Sequence, residues 1–136
     1  MSAHTPHDVP AAGDPLDAPV SLDEVVALEL GLFDDPERAG VVRIDELLHE
    51  DFEQLSPTGR VYDAVTFLDP APEDALRGLT CDHLAAQLVA PGAVLVTYRA
   101  HRGERQAWRS SLWLRTPAGW RLRHHQGTPI RGFLSV

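Results

Sequence analysis

The sequence predicts an α+β domain, with helices first and an antiparallel sheet after them. Three observations carry that reading. Helix start signals with 3.6-residue apolar spacing fall within residues 21–49, four β-rich stretches follow Gly78, and the breaks between those stretches have hairpin length. At 136 residues the chain can bury one core but not two, so any site must stand on one scaffold or at a subunit interface.

Residues 1–20 carry Pro6, Pro10, Pro15 and Pro19 among small and acidic residues, and the segment is expected to be a disordered tail ahead of one domain over 21–136. Ser21 then offers an N-cap with Glu24 three positions on, and Leu22, Val25, Val26 and Leu32 mark the apolar side of a helix over about 21–32. Asp35 followed by Pro36 gives a second start signal, and Val41, Ile44, Leu47 and Leu48 continue at helical spacing to an expected end near His49. The segment DFEQLSPTGR predicts a short strand and a reversal, with a third short helix at about 61–68 and an exposed acidic connection at 69–76. Beyond Gly78 the strands are separated by APG at 90–92, RGE at 102–104 and TPAG at 116–119, so neighbours in sequence should pair antiparallel.

Composition removes several function classes. All 12 basic residues are arginine, which excludes Schiff-base chemistry and a P-loop lysine. No apolar run reaches the ~18 residues a membrane span needs, and the N-terminus has no export-signal pattern, so the expected location is the cytoplasm and no membrane partner is expected. Cys81 is the single cysteine, with no motif around it, and reads as an inert thiol. His4 and His7 are close enough to share a metal but lack further ligands, and no metal site is predicted. The net charge of −8 is divided: residues 1–76 hold 18 acids and 3 arginines, residues 77–136 hold 2 acids and 9 arginines. The basic half either attracts an anionic ligand or is paired with the acidic half; with no nucleic-acid motif in an acidic chain, no nucleic-acid partner is expected.

Four blocks in order, ELLHEDFEQLSPTGRVYD at 46–63, VLVTYRAHR at 94–102, WRSSLWLR at 108–115 and GWRLRHHQGTP at 119–129, resemble the nuclear transport factor 2-like superfamily, in a SnoaL-like branch still named as a domain of unknown function. The resemblance covers about residues 21–129. It implies a cone-shaped fold in which N-terminal helices pack in a curved, mostly antiparallel sheet that leaves a pocket. It also implies relatives as diverse as ketosteroid isomerases, polyketide cyclases, dehydratases and non-catalytic association domains, so the fold does not choose the function. The chain departs from the branch at Gln54, where glutamate is usual, at Ser56, where glycine is usual, and at His124, where an apolar residue is usual.

Strand alternation sorts the candidate residues into faces. Arg109, Ser111 and Trp113 share one side of their strand, opposite Trp108, Ser110 and Leu112. On the last strand Trp120, Leu122, His124 and Gln126 should line the pocket face unless a bulge intervenes, and parity does not exclude His125. Tyr98 as a hydrogen-bond donor and His125 as an acid or base are the candidate catalytic residues, and Phe52, Gln54, Arg109, Ser111, Trp113, Trp120, His124 and Gln126 the candidate ligand-binding residues. Each also has a structural use, and Trp113 and Trp120 suit a core. Gly127 is read as permitting an unusual backbone angle where the sheet ends. The preferred function is a homodimeric domain whose pocket binds a small organic molecule without metal or cofactor, with proton transfer, isomerisation or hydration as its chemistry if it is an enzyme. The alternative is a non-catalytic interaction module.

Overall fold

The computed structural model describes residues 19–34 and 43–131. They form helix α1 (Leu22–Gly31) and strands β1 (Leu48–Leu55), β2 (Val61–Asp63), β3 (Thr80–Ala90), β4 (Ala93–Arg102), β5 (Arg105–Thr116) and β6 (Gly119–Pro129). The expected tail, up to residue 18, and the Asp35–Pro36 helix start lie outside the described residues.

Helix α1 begins as its sequence requires: the Ser21 hydroxyl accepts from the Glu24 backbone N–H at 3.3 Å. Its inner side buries Val25 and Leu32, but the same stripe also buries Glu29 completely. The strands make one sheet in the order β2-β1-β6-β5-β4-β3, antiparallel throughout except for the parallel pair β1 and β6. The β3–β4, β4–β5 and β5–β6 hairpins turn where the Gly and Pro signals predict, with Gly92, Gly103 and Gly119 at positive φ. The sheet curves around a core of Val25, Leu32, Val94, Val96, Trp113 and Leu122, all at most 1% exposed. Burial of an aliphatic or aromatic side chain of this kind stabilises the fold by about 1.5–3 kcal/mol each.

Three expectations are corrected. Residues 43–49 do not continue a helix: a 3-10 turn at Ile44–Glu46 leads directly into β1. The Leu122 backbone N–H donates to the Leu47 carbonyl at 2.7 Å and Leu48 pairs with Leu122, so the parallel ladder claims a run whose short apolar spacing also fits a helix. Residues 61–68 split into β2 and a 3-10 turn at Thr66–Leu68, because the Asp63 carboxylate accepts from the Val65 and Thr66 backbone N–H groups at 3.0 and 2.8 Å and caps a new start inside the segment. The 69–76 connection is acidic but not wholly exposed: Asp74 and Leu76 are buried.

The fourth correction sets the site. Strand β5 pairs Trp113 with Leu122 but Leu112 with His124, so Arg123 is an extra residue that bulges β6. Parity reverses there. Trp120 and Leu122 face inward before the bulge and His125 and Gly127 after it, while His124 and Gln126 turn outward and are only partly buried.

Candidate functional site

Helix α1 delivers one carboxylate onto the inner face of the sheet, and β4, β5 and β6 surround it with donors. Glu29 Oε2 accepts from the Tyr98 hydroxyl at 2.5 Å and the Ser111 hydroxyl at 2.9 Å, and Oε1 accepts from the Trp113 indole N–H at 2.8 Å. The chain continues outward from Tyr98: its hydroxyl lies 3.2 Å from His125 Nε2, and the Gln54 side-chain Nε2 lies 3.1 Å from His125 Nδ1. With Gln54 donating to Nδ1, His125 carries its proton on Nε2 and donates to the Tyr98 oxygen, which donates in turn to Glu29. Glu29, Gln54, Tyr98, Ser111, Trp113 and His125 are all 0% exposed. Burial raises the Glu29 pKa against the lowering effect of its three donors and of Arg109. Burial likewise drives Tyr98 well above its ordinary value, helped by Glu29, and holds His125 well below its own, helped by Arg109 and His124.

One register step along the same inner face lies Arg109, opposite Tyr98 on β4 and Gly127 on β6. It is 6% exposed, and its Nε and Nη1 have no hydrogen-bond partner among the described residues. Arginine keeps its charge at any physiological pH, so this is a buried cation with unfilled donors, even though burial, the largest effect, and Arg102 both lower its pKa. Arg109 is among the residues that line a cavity of about 150 Å³ at the end of the sheet, where Pro57, the 73–79 segment, the β4–β5 hairpin and the end of β6 converge. Gly127 makes room here: a Cβ on it would lie 2.7 Å from Pro57 Cγ and 3.3 Å from Arg109 Nη1. Its φ is not positive, so the glycine serves close approach, not the unusual angle read from the sequence. The segment over the cavity is tied down twice. Arg102 donates to the Ala75 and Arg77 carbonyls, and Asp74 accepts from the Tyr62 hydroxyl at 2.6 Å and the Thr58 hydroxyl at 2.8 Å.

A wider cleft of about 550 Å³ runs between Leu32, Ile44, Phe67 and Leu76. Two charged groups on its wall are already engaged, Arg43 by Asp45 at 2.8 Å and Asp74 by Tyr62 and Thr58.

No family model and no curated protein matches the sequence. Solved structures do. A nuclear transport factor 2-like protein of unknown function in nutrient uptake from Rhodospirillum rubrum aligns with TM-score 0.63 at 21% identity, over 82% of this chain and 100% of that one. A nuclear transport factor 2-like protein from Cytophaga hutchinsonii aligns with TM-score 0.56 at 14% identity, over 82% and 100% of the two chains. The fold is that of the nuclear transport factor 2-like superfamily. A calcium/calmodulin-dependent kinase II hub homology domain from Chlamydomonas reinhardtii also aligns, with TM-score 0.55 at 16% identity over 83% and 100% of the chains.

Within this nuclear transport factor 2-like scaffold the residues singled out from the sequence separate. Tyr98, His125, Gln54, Ser111 and Trp113 meet in the sealed cluster. Arg109 alone of them lines the smaller cavity. Phe52 packs edge-on to Phe67 with ring centroids 4.7 Å apart, and Trp120 lies in the core under Arg115, 4.9 Å from its ring centroid. His124 turns outward, 3.8 Å from Glu53, and Gln126 bonds Ser110 and Thr128 on the outer side. Ser56 is buried and lies 2.9 Å from the Thr58 hydroxyl. Sequence reasoning missed Glu29, Asp74, Arg102 and Arg105. Only Glu29 left a signal, a carboxylate four residues after Val25 and three before Leu32 on an otherwise apolar stripe.

Proposed function

We propose that this chain is a small-molecule-binding domain whose ligand sits in the 150 Å³ cavity against Arg109, and that Tyr98 and His125 organise the core instead of acting on a substrate. The observation that carries the reading is a buried arginine that lines the cavity and whose Nε and Nη1 have no hydrogen-bond partner among the described residues. A folded protein seldom leaves such donors unmet unless a partner arrives. Tyr98 and His125 are sealed at 0% exposure, and burial drives each away from the neutral range in which an acid or base works.

A thermal-shift screen over small acids, amides, alcohols and amines tests this, with two variants. Ala107 is buried on the cavity wall, so Ala107→Leu should fill the space and abolish any ligand-induced stabilisation, whereas Tyr98→Phe should lower the melting temperature yet keep the ligand response. A ligand response that survives Ala107→Leu, or that Tyr98→Phe alone removes, would place binding elsewhere.

Self-association through the convex face is a second reading. Trp108 is 48% exposed on that face, with the Arg99 guanidinium 5.9 Å from its ring centroid and His83 edge-on at 6.0 Å. A half-exposed tryptophan beside arginine is the composition of an interface centre, and a hub homology domain shares the fold.

A further inference from the structure

Resting on the assignment of the cavity as a binding site, we propose that its ligand is a small organic carboxylate, anchored by Arg109 and flanked by Arg105 and Arg102.

The charges on the wall are one-sided. Arg102, Arg105 and Arg109 all line the cavity, although the chain as a whole carries −8. Among the described lining residues Glu73 is the one carboxylate, and Arg60 already holds it. Three guanidiniums brought to one small space repel each other, and an anion between them removes that cost.

Among the described residues nothing satisfies Arg109 Nε or Nη1. The two buried carboxylates whose fields reach it are Glu29 and Asp74, and both are filled by other donors: Glu29 by Tyr98, Ser111 and Trp113, Asp74 by Tyr62 and Thr58. They offset the buried positive charge at a distance but leave Nε and Nη1 without acceptors among the described residues. A guanidinium presents a planar fork that matches a carboxylate in two places, and burial strengthens such a contact. Arg102 is partly committed, since its Nη2 already donates to Ala75 and Arg77, so Arg109 is the anchor and Arg105, exposed at the hairpin, the outer cation.

The remaining wall selects size and polarity. Pro57, Leu79, Ala100 and Ala107 supply an apolar lining, and about 150 Å³ is a volume that elsewhere admits a molecule of roughly benzene size. The fitting class is therefore a monocarboxylic acid with a short aliphatic or single aromatic tail, not a nucleotide or a steroid.

Isothermal titration of the full chain with matched pairs, benzoate against benzamide and butyrate against butyramide, and with inorganic phosphate, decides the matter. The acids should bind saturably and at least ten-fold more tightly than their amides, with affinity falling as salt rises. Arg109→Met should abolish acid binding. Arg105→Gln, at an exposed position where folding is not at stake, should weaken it several-fold. Amides binding as well as acids would leave the cavity a binding site and refute the carboxylate class. Phosphate binding with no response to the acids would refute it too, in favour of an inorganic oxyanion. Acid binding unchanged in both variants would move the site elsewhere, and no binding by any probe at millimolar concentration would sink both the carboxylate class and the cavity reading on which it rests.

Discussion

Glu29 shows how one residue can set the chemistry of a core. Its carboxylate takes three hydrogen bonds from neutral donors, and none of the three donors has a second acceptor as close. Removing the acceptor would strand them at a cost of about 1–3 kcal/mol each. The charge itself is a burden, since burial raises the Glu29 pKa above its value in the unfolded chain. The folded protein therefore holds this proton more tightly than the unfolded one. Glu29's contribution to stability is fully present below the ordinary carboxylate pKa near 4.5 and is lost as pH rises through the raised folded value. In Glu29→Gln that loss should disappear: the Tyr98 and Ser111 hydroxyls can rotate to accept from the amide while its oxygen faces Trp113. Melting temperatures measured from pH 4 upward should fall less steeply in the variant than in the wild type, and parallel curves would show that Glu29 does not titrate as described. Asp74 has the opposite sign. Burial works against its anion, but hydrogen bonds from Tyr62, Thr58, Ser56 and Arg60 together hold its pKa below 3.8, so its contribution is present above that value and is lost as pH falls through the folded one. Asp74→Asn should cost about 1–3 kcal/mol at neutral pH and flatten the acid limb of the stability profile, both readable by urea unfolding at pH 7 and pH 3.

Among the elements, β6 decides the most. Its alternation as written places His124 and Gln126 beside Trp120 and Leu122, and one bulged residue, Arg123, exchanges them for His125 and Gly127. Nothing within β6 marks the bulge, because Arg121, Arg123 and His124 are equally suited to a solvent face. The bulge follows from β6 being held on both sides, by β5 and by the parallel β1, whose own register shifts between Leu48 and Glu53. Downstream of it Gly127 lets Pro57 close against the strand. Gly127→Ala should force Pro57 and the Arg109 guanidinium apart, destabilising the fold by about 1–3 kcal/mol and weakening any acid ligand at the same time. Equal stability and equal binding in that variant would mean that the loop yields freely. The segment at 44–49 teaches the same lesson from the other side: Ile44, Leu47 and Leu48 fit helical spacing, but a run this short fits a turn and strand equally, and pairing with β6 settles it.

For the whole molecule, the division of charge along the chain shows local pairs and a long-range arrangement among the described residues. Arg43 pairs with Asp45, Arg60 with Glu73 and Arg99 with Asp82, each with an acid from its own half. The halves also meet electrostatically in the interior, where Glu29 and Asp74 from the acidic half oppose Arg109 from the basic half. Self-association belongs to this scale as well. If the convex face joins two copies, sedimentation velocity should give a dimer for the wild type and a monomer for Trp108→Ser, with the cavity beside Arg109 intact in both; a wild-type monomer at high concentration would remove that reading.

What the sequence by itself determined is the class and order of the fold: one capped helix, then hairpin-linked strands from Thr80 to Pro129, because N-caps, Gly-Pro turns and β-rich runs act over a few residues. It also marked Tyr98, His125 and Arg109 as residues with chemical potential. Only the tertiary structure decided that Tyr98 and His125 are sealed around a carboxylate 69 and 96 positions earlier, that a bulge selects His125 over His124, and that Arg109, beside a cavity, has two donors unfilled among the described residues. Those outcomes depend on which groups meet across strands and which remain unmet, and pairing at long separation leaves no trace in local periodicity.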